Sequence, residues 1–204
     1  MSLKKVGIID YGCGNLASVI NAIKYLKYDV EIIKKNNNLE HFSHLILPGV
    51  GSFRAGMEKL KSESWDTALK NYVEAKGKLL GICLGMQLLF NFGEEDGQTE
   101  GLNFFKGKCI KLNTYSKFPL PHIGFNSVSH NNSSIWSEIK NDSFFYFVHS
   151  YAIKELEEKY DCGTTNYSEK FISYIENGSV FGAQFHPEKS HLAGLKFIKN
   201  FIEQ

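Results

Sequence analysis

The chain has 204 residues, of which 43% are hydrophobic, 22% charged and 14% aromatic, which bounds it to one ordinary globular domain or two very small ones. Its 23 basic and 22 acidic residues leave a formal net charge of +1, and so even a balance excludes non-specific nucleic-acid binding and polybasic membrane attachment. Four cysteines, Cys13, Cys83, Cys109 and Cys162, stand singly with no C-x-x-C pair; a zinc ribbon and a disulfide scaffold are excluded, and reduced thiols in a soluble cytoplasmic protein are expected.

Residues 5–9 read as a short buried strand. Its apolar run, Val6-Gly7-Ile8-Ile9 before Asp10, is too short for a signal-peptide core. Leu16, Val19, Ile20, Ile23 and Leu26 then keep a helical period. Strands are predicted over 30–33 and 45–47, the second stopped by Pro48-Gly49. Ser52 suits the cap of a helix running to about residue 61, and a further helix covers 65–76. A buried strand over 78–82 passes at once into helical spacing through Phe90. The apolar stretch 79–93 falls short of the ~20 residues that span a bilayer. This alternation predicts a parallel sheet with helices on both faces. From residue 107 strands dominate, at 108–112, 123–128, 144–148, 160–167, 171–176 and 180–184. Asn177-Gly178 is a two-residue hairpin signal between the last two. An amphipathic helix over 191–202 closes a single α/β domain with a mostly parallel central sheet and a strand-rich C-terminal half.

The sharpest chemical feature is Gly81-Ile82-Cys83-Leu84-Gly85, a G-x-C-x-G at a strand–helix junction. Flanking glycines permit a tight elbow in which any side chain would clash, the geometry that presents the serine of G-x-S-x-G hydrolases. It puts Cys83 at a helix N-terminus, which favours a thiolate, and frees the Leu84 N–H for a developing oxyanion. A thiol nucleophile needs a base and an orienter. Phe185-His186-Pro187-Glu188 follows a strand, so His186 and Glu188, two apart, point the same way. Glu188 can then hold one ring nitrogen while the other faces Cys83. Pro48-Gly49-Val50-Gly51-Ser52 makes a turn with exposed N–H groups, suited to a phosphate or an oxyanion. The glycines either side of Val50 would let its peptides rotate at low steric cost. Gly12-Cys13-Gly14 lacks the acidic partner of a dinucleotide site, and His41-x-x-His44 lacks a third metal ligand, so no metal is expected.

These elements together resemble the class I, triad-type glutamine amidotransferases. The match sharpens toward the glutaminase subunits of imidazole glycerol phosphate synthases in Asp10-Tyr11-Gly12-x-Gly14-Asn15-Leu16, Pro48-Gly49-Val50-Gly51, Gly81-Ile82-Cys83-Leu84-Gly85-Met86-Gln87-Leu88-Leu89, Pro121-His122-x-Gly124-x-Asn126, Val148-His149-Ser150-Tyr151 and Gln184-Phe185-His186-Pro187-Glu188-Lys189-Ser190. The resemblance spans residues 1–204 and implies a flavodoxin-like amidotransferase fold. It implies a Cys83–His186–Glu188 triad and an oxyanion hole from Gly49, Val50, Gly51 and Leu84. Gln87, Glu95, Ser150 and Tyr151 match positions that hold substrate glutamine. Asn15, Phe125, Tyr146 and Lys189 match the side facing a (β/α)8-barrel cyclase, which takes the ammonia in a heterodimer; no cofactor is implied.

The chain departs from that pattern at Ile123 and Phe125, where the family has Met and Trp, and at Cys13. These positions lie near the expected partner face. A paralogous subunit that supplies ammonia for amidination of a bacterial surface sugar is therefore an alternative. Rivals of other classes are a non-catalytic flavodoxin-like interaction module and a cysteine peptidase or hydrolase. The complete triad weighs against the module, and the Gln87 and Glu95 matches weigh against the peptidase.

Overall fold

A computed structural model describes residues 4–113 and 118–204, so Met1, Ser2 and Leu3 of the N-terminal stretch lie outside the described residues. The Ile-, Val- and Leu-rich runs of the first half form β1 (Lys5–Ile9), β2 (Asp29–Ile33), β3 (His44–Gly49) and β4 (Lys78–Cys83), separated by α1 (Leu16–Tyr25), α2 (Phe53–Ser62) and α3 (Trp65–Glu74). Ser52 caps α2, its Oγ accepting the Ala55 N–H at 3.4 Å and so pairing one of the helix's orphan donors. After β4 come α4 (Leu84–Leu88), β5 (Phe90–Gly93), β6 (Thr99–Glu100), β7 (Phe105–Lys111), β8 (His122–Val128), β9 (Ser143–His149), β10 (Tyr151–Leu156), β11 (Asp161–Tyr167), β12 (Glu169–Asn177), β13 (Val180–Ala183) and α5 (His191–Glu203).

Strands β2-β1-β3-β4-β13 run parallel in that order, and the sheet continues through β12, β10, β7, β5 and β6, with β11 paired to β12. Period-two alternation sends successive side chains to opposite faces. Ile46, Leu80 and Ile82 pack with α1, α5 and the aromatic cluster of Phe145, Phe185 and Phe197. Leu45, Leu47 and Leu79 pack with α2, α3 and α4 through Phe53, Met57, Trp65 and Leu69. The antiparallel pair β8–β9 forms a separate two-stranded ribbon.

The helix expected to run through Phe90 stops at Leu88, and β5 starts at Phe90. Residues 84–90 are buried throughout, so no polar face marks a helical period. A Cβ at Gly93 would strike the Phe53 ring, which explains the glycine that closes β5. The Asn177-Gly178 turn falls one residue later than expected. Asn177 pairs with Val180, the turn residues are Gly178 and Ser179, and the positive φ of 60° is at Gly178.

Because the central strands are parallel, their C-terminal ends share one edge. Gly49 at the end of β3 is in register with Cys83 at the end of β4. Beyond Ala183 at the end of β13 the chain runs on to His186. Open α/β sheets bind their ligands at this edge.

Candidate active site

Cys83 ends β4 and opens α4 with φ 56° and ψ −113°, a conformation costly to a residue with a Cβ. Backbone crowding on both sides enforces it. A Cβ at Gly81 would come within 2.6 Å of the Gly85 carbonyl oxygen, and one at Gly85 would overlap the Leu47 carbonyl oxygen. The G-x-C-x-G pattern is thus a packing requirement between β3, β4 and α4. Cys83 is 7% exposed. Its Sγ lies 3.9 Å from Gln184 Nε2 and 4.0 Å from the Val148 carbonyl oxygen.

His186 and Glu188 are nearly sealed from solvent, and His186 Nδ1 is 2.8 Å from Glu188 Oε1. With that nitrogen committed, Nε2 is buried and makes no closed hydrogen bond. Burial opposes a charge on the ring, but interactions with the Cys83 and Glu188 anions outweigh it and raise His186 from 6.5 to about 10. The backbone holds the ring in place as well: His186 N–H donates to the Tyr146 carbonyl at 2.8 Å, and Ser190 Oγ donates to the His186 carbonyl at 2.6 Å.

Cys83 and His186 line a cavity of about 250 Å³ together with Val50, Gly51, Leu84, Gln87, Glu95, Val148, His149, Ser150 and Tyr151. Among its described lining residues Glu95 is the one carboxylate, and there is no Lys or Arg. Burial raises the Glu95 carboxyl, while the Phe53 N–H donates to its Oε2 at 3.1 Å and partly offsets that. Gln87 donates both amide hydrogens to the protein, one to the Tyr151 carbonyl at 2.9 Å and one to Gln184 Oε1 at 3.0 Å. Its Oε1 is left to accept a donor in the cavity.

The expected oxyanion residues surround Cys83, for different reasons on the two sides of Val50. A Cβ at Gly49 would sit 2.6 Å from Tyr11 Oη and 2.9 Å from the Gly85 nitrogen, so glycine there answers close packing rather than freedom to rotate. Gly51 has φ 112° and open space around it, and Val50 is 49% exposed. Asn15, Phe125, Tyr146 and Lys189 lie outside the cavity. Asn15 is exposed at the start of α1. Phe125 packs edge-on against Tyr146 at 5.6 Å, and Lys189 Nζ lies 5.7 Å from the Tyr146 ring. Gln184 and His149 stand within motifs that carry the family resemblance, but the sequence assigns neither a role. Gln184 had one available signal: it precedes His186 by two residues along an extended segment and so points toward the same side. Cys13, Cys109 and Cys162 have thiols pushed up by burial. Among the described residues no three His, Cys, Asp or Glu side chains cluster in a way that could hold a metal ion.

Comparison with known proteins shows the family of the chain. Residues 7–204 match the family model described as glutamine amidotransferase class-I. A protein of Caldanaerobacter subterraneus subsp. tengcongensis named imidazole glycerol phosphate synthase subunit HisH is 43% identical over 199 residues, covering 97% of each chain. One of Methanococcus maripaludis named subunit HisH 2 of the same synthase is 42% identical, covering 98% of this chain and 99% of its own. Among solved structures, a glutamine amidotransferase superposes with a TM-score of 0.76 at 18% identity over 97% of both chains. PurLQS from Thermotoga maritima gives 0.75 at 16% identity over 98% of both. At those identities the likeness is one of fold.

Proposed function

The chain belongs to the class-I glutamine amidotransferase family, and from that premise we propose that it is the glutaminase subunit of an imidazole glycerol phosphate synthase in histidine biosynthesis. It hydrolyses glutamine to glutamate and ammonia. It works in the cytoplasm as one half of a heterodimer and passes ammonia to a (β/α)8-barrel cyclase. The observation that carries this reading is the meeting of the strained Cys83 with the His186–Glu188 pair over a cavity that offers one carboxylate and one free amide oxygen.

In this mechanism Glu95 and the Gln87 Oε1 accept from the α-ammonium group of glutamine. The Cys83 thiolate attacks the side-chain amide carbon, and N–H groups of Leu84 and of the turn at residues 49–51 receive the oxyanion. The His186 imidazolium, oriented by Glu188, gives its proton to the departing ammonia and leaves a thioester on Cys83. His186, now neutral, takes a proton from water, which attacks the thioester and releases glutamate. The described lining of the cavity holds no Lys or Arg to bind a phosphorylated substrate, which supports a partner that binds one.

Glutamate release is measured on the chain alone, with a barrel partner, and with the barrel plus its phosphorylated ligand. The free chain is expected to be slow and the liganded complex faster by ~10²–10³, the worth of one oxyanion donor. Cys83→Ala in the complex is expected to abolish release. A Cys83→Ala rate within about tenfold of wild type would remove the nucleophile assignment. A free chain already at the complex's full rate would favour a stand-alone hydrolase. The surface-sugar reading rests on the exposure of two of the three departing positions, Ile123 at 60% and Phe125 at 46%. Activation solely by a barrel from outside histidine synthesis would select it.

A further inference from the structure

The cavity wall at residues 148–151 includes His149, which pairs with His122 behind it, and neither histidine takes part in the proposed chemistry. His122 and His149 are buried and stand opposite each other in the β8–β9 register. His149 Nδ1 lies 2.8 Å from the Tyr151 carbonyl oxygen. A carbonyl can only accept, so His149 carries its proton on Nδ1. Its Nε2 is then an acceptor, and His122 Nδ1, 3.2 Å away, must donate to it. That leaves His122 Nε2 to accept from Asn126 Nδ2 at 3.5 Å. A single polarity satisfies the whole run, provided both rings are neutral. Burial lowers His122 to about 4. Burial lowers His149 to about 3, with the neighbouring imidazoles of His122 and His186 acting in the same direction.

The Tyr151 carbonyl that accepts from His149 also accepts from Gln87 Nε2, and Gln87 Nε2 in turn donates to Gln184 Oε1. Gln184 then has its Nε2 turned toward Cys83 Sγ. The histidine pair therefore sits at one end of a continuous polar run whose other end is the nucleophile. We propose that His122 and His149 are positioning residues for glutamine: the tautomer-locked pair fixes the Tyr151 carbonyl and, through it, the Gln87 amide and the wall that carries Ser150. This rests on the glutaminase reading above. A charged pair would suit the site poorly, because a second imidazolium would repel that of His186.

Two substitutions separate positioning from packing. His122 stacks on Tyr167 at 3.9 Å and on Phe147 at 4.9 Å between ring centroids. His122→Phe keeps an aromatic ring there and removes the donor. His122→Asn keeps an N–H near the place of Nδ1 and removes the ring. In the liganded complex, His122→Phe is expected to raise KM for glutamine about five- to tenfold, the worth of one buried hydrogen bond, with kcat little changed and Tm lowered by the unpaired His149 Nε2. His122→Asn is expected to lower Tm and leave KM near wild type. The reverse order, or an unchanged KM in His122→Phe, overturns the proposal. Nitrogen-15 imidazole spectra of the wild-type chain give a reading that needs no turnover and no variant. Both histidines are expected to be neutral and protonated on Nδ1. A His149 protonated on Nε2 overturns the proposal even if the chain is a glutaminase, and the expected tautomers stand even if it is not.

Discussion

Cys83 adopts φ 56° and ψ −113° because the backbone of β3 and α4 leaves it no other course. The strain presents the sulfur to the cavity without a long helix behind it, since α4 has five residues. His186 carries the corresponding charge. Its folded-state value is raised from 6.5 to about 10, so its charged interactions stabilise the fold fully below pH 6.5 and lose that effect as pH rises through about 10. Glu188→Gln removes one of the two anions involved. The Tm gap between wild type and Glu188→Gln is expected to be full at pH 6 and to close toward pH 10; a gap that widens over that range would contradict the imidazolium assignment. At this scale the sequence was legible where a residue type has few structural excuses. A cysteine between two glycines, and a histidine two residues before a glutamate, announce themselves. Gln184 and His149 do not, because their roles come from what they touch across strands.

At the scale of elements, the β8–β9 ribbon has two chemically distinct faces. Ile123, Phe125 and Phe144 are exposed on one, with Tyr146 beside them, and His122, Phe145, Phe147 and His149 are buried on the other. Tyr146 belongs to both environments, since its ring faces Lys189 while its carbonyl accepts the His186 N–H. A partner seated on the outer face would thus lie one backbone bond from the triad. Phe125→Asp places a charge in that apolar face without touching the core. It is expected to weaken partner binding at least about tenfold, as for loss of a central aromatic contact, and to leave Tm within a degree or two. Titration of the labelled chain with the barrel checks this, and unchanged affinity would move the docking face elsewhere. The elements themselves were legible where burial is one-sided. β5 was hidden inside a run buried on every side. β10 escaped because a register shift between Ile153 and Leu156 breaks its alternation.

At the scale of the whole molecule, the parallel strands gather Gly49, Cys83 and the approach to His186 at one edge of the sheet. The α/β half was readable from alternating strand and helix periods, whereas the pairing order of the later strands was not, because it joins segments far apart in sequence. The cavity at that edge has one carboxylate, Glu95, and no Lys or Arg among its described lining residues. On the proposed reading, amide cleavage and the later synthetic steps belong to different chains. The Cys83→Ala complex is accordingly expected to make product from ammonium salts at high pH as fast as wild type. Loss of ammonia-dependent synthesis in a complex that still assembles would contradict that division.

The two-faced ribbon also bears on how such a protein changes over generations. Neighbouring positions on one strand carry different structural constraints, because 123 and 125 face outward while 122 packs behind the cavity wall. After a gene duplication, one copy can drift at the outward positions without disturbing the inward ones. Substitutions at 123 and 125 are where a lineage that changed its partner would first diverge, well before any change at 83, 186 or 188.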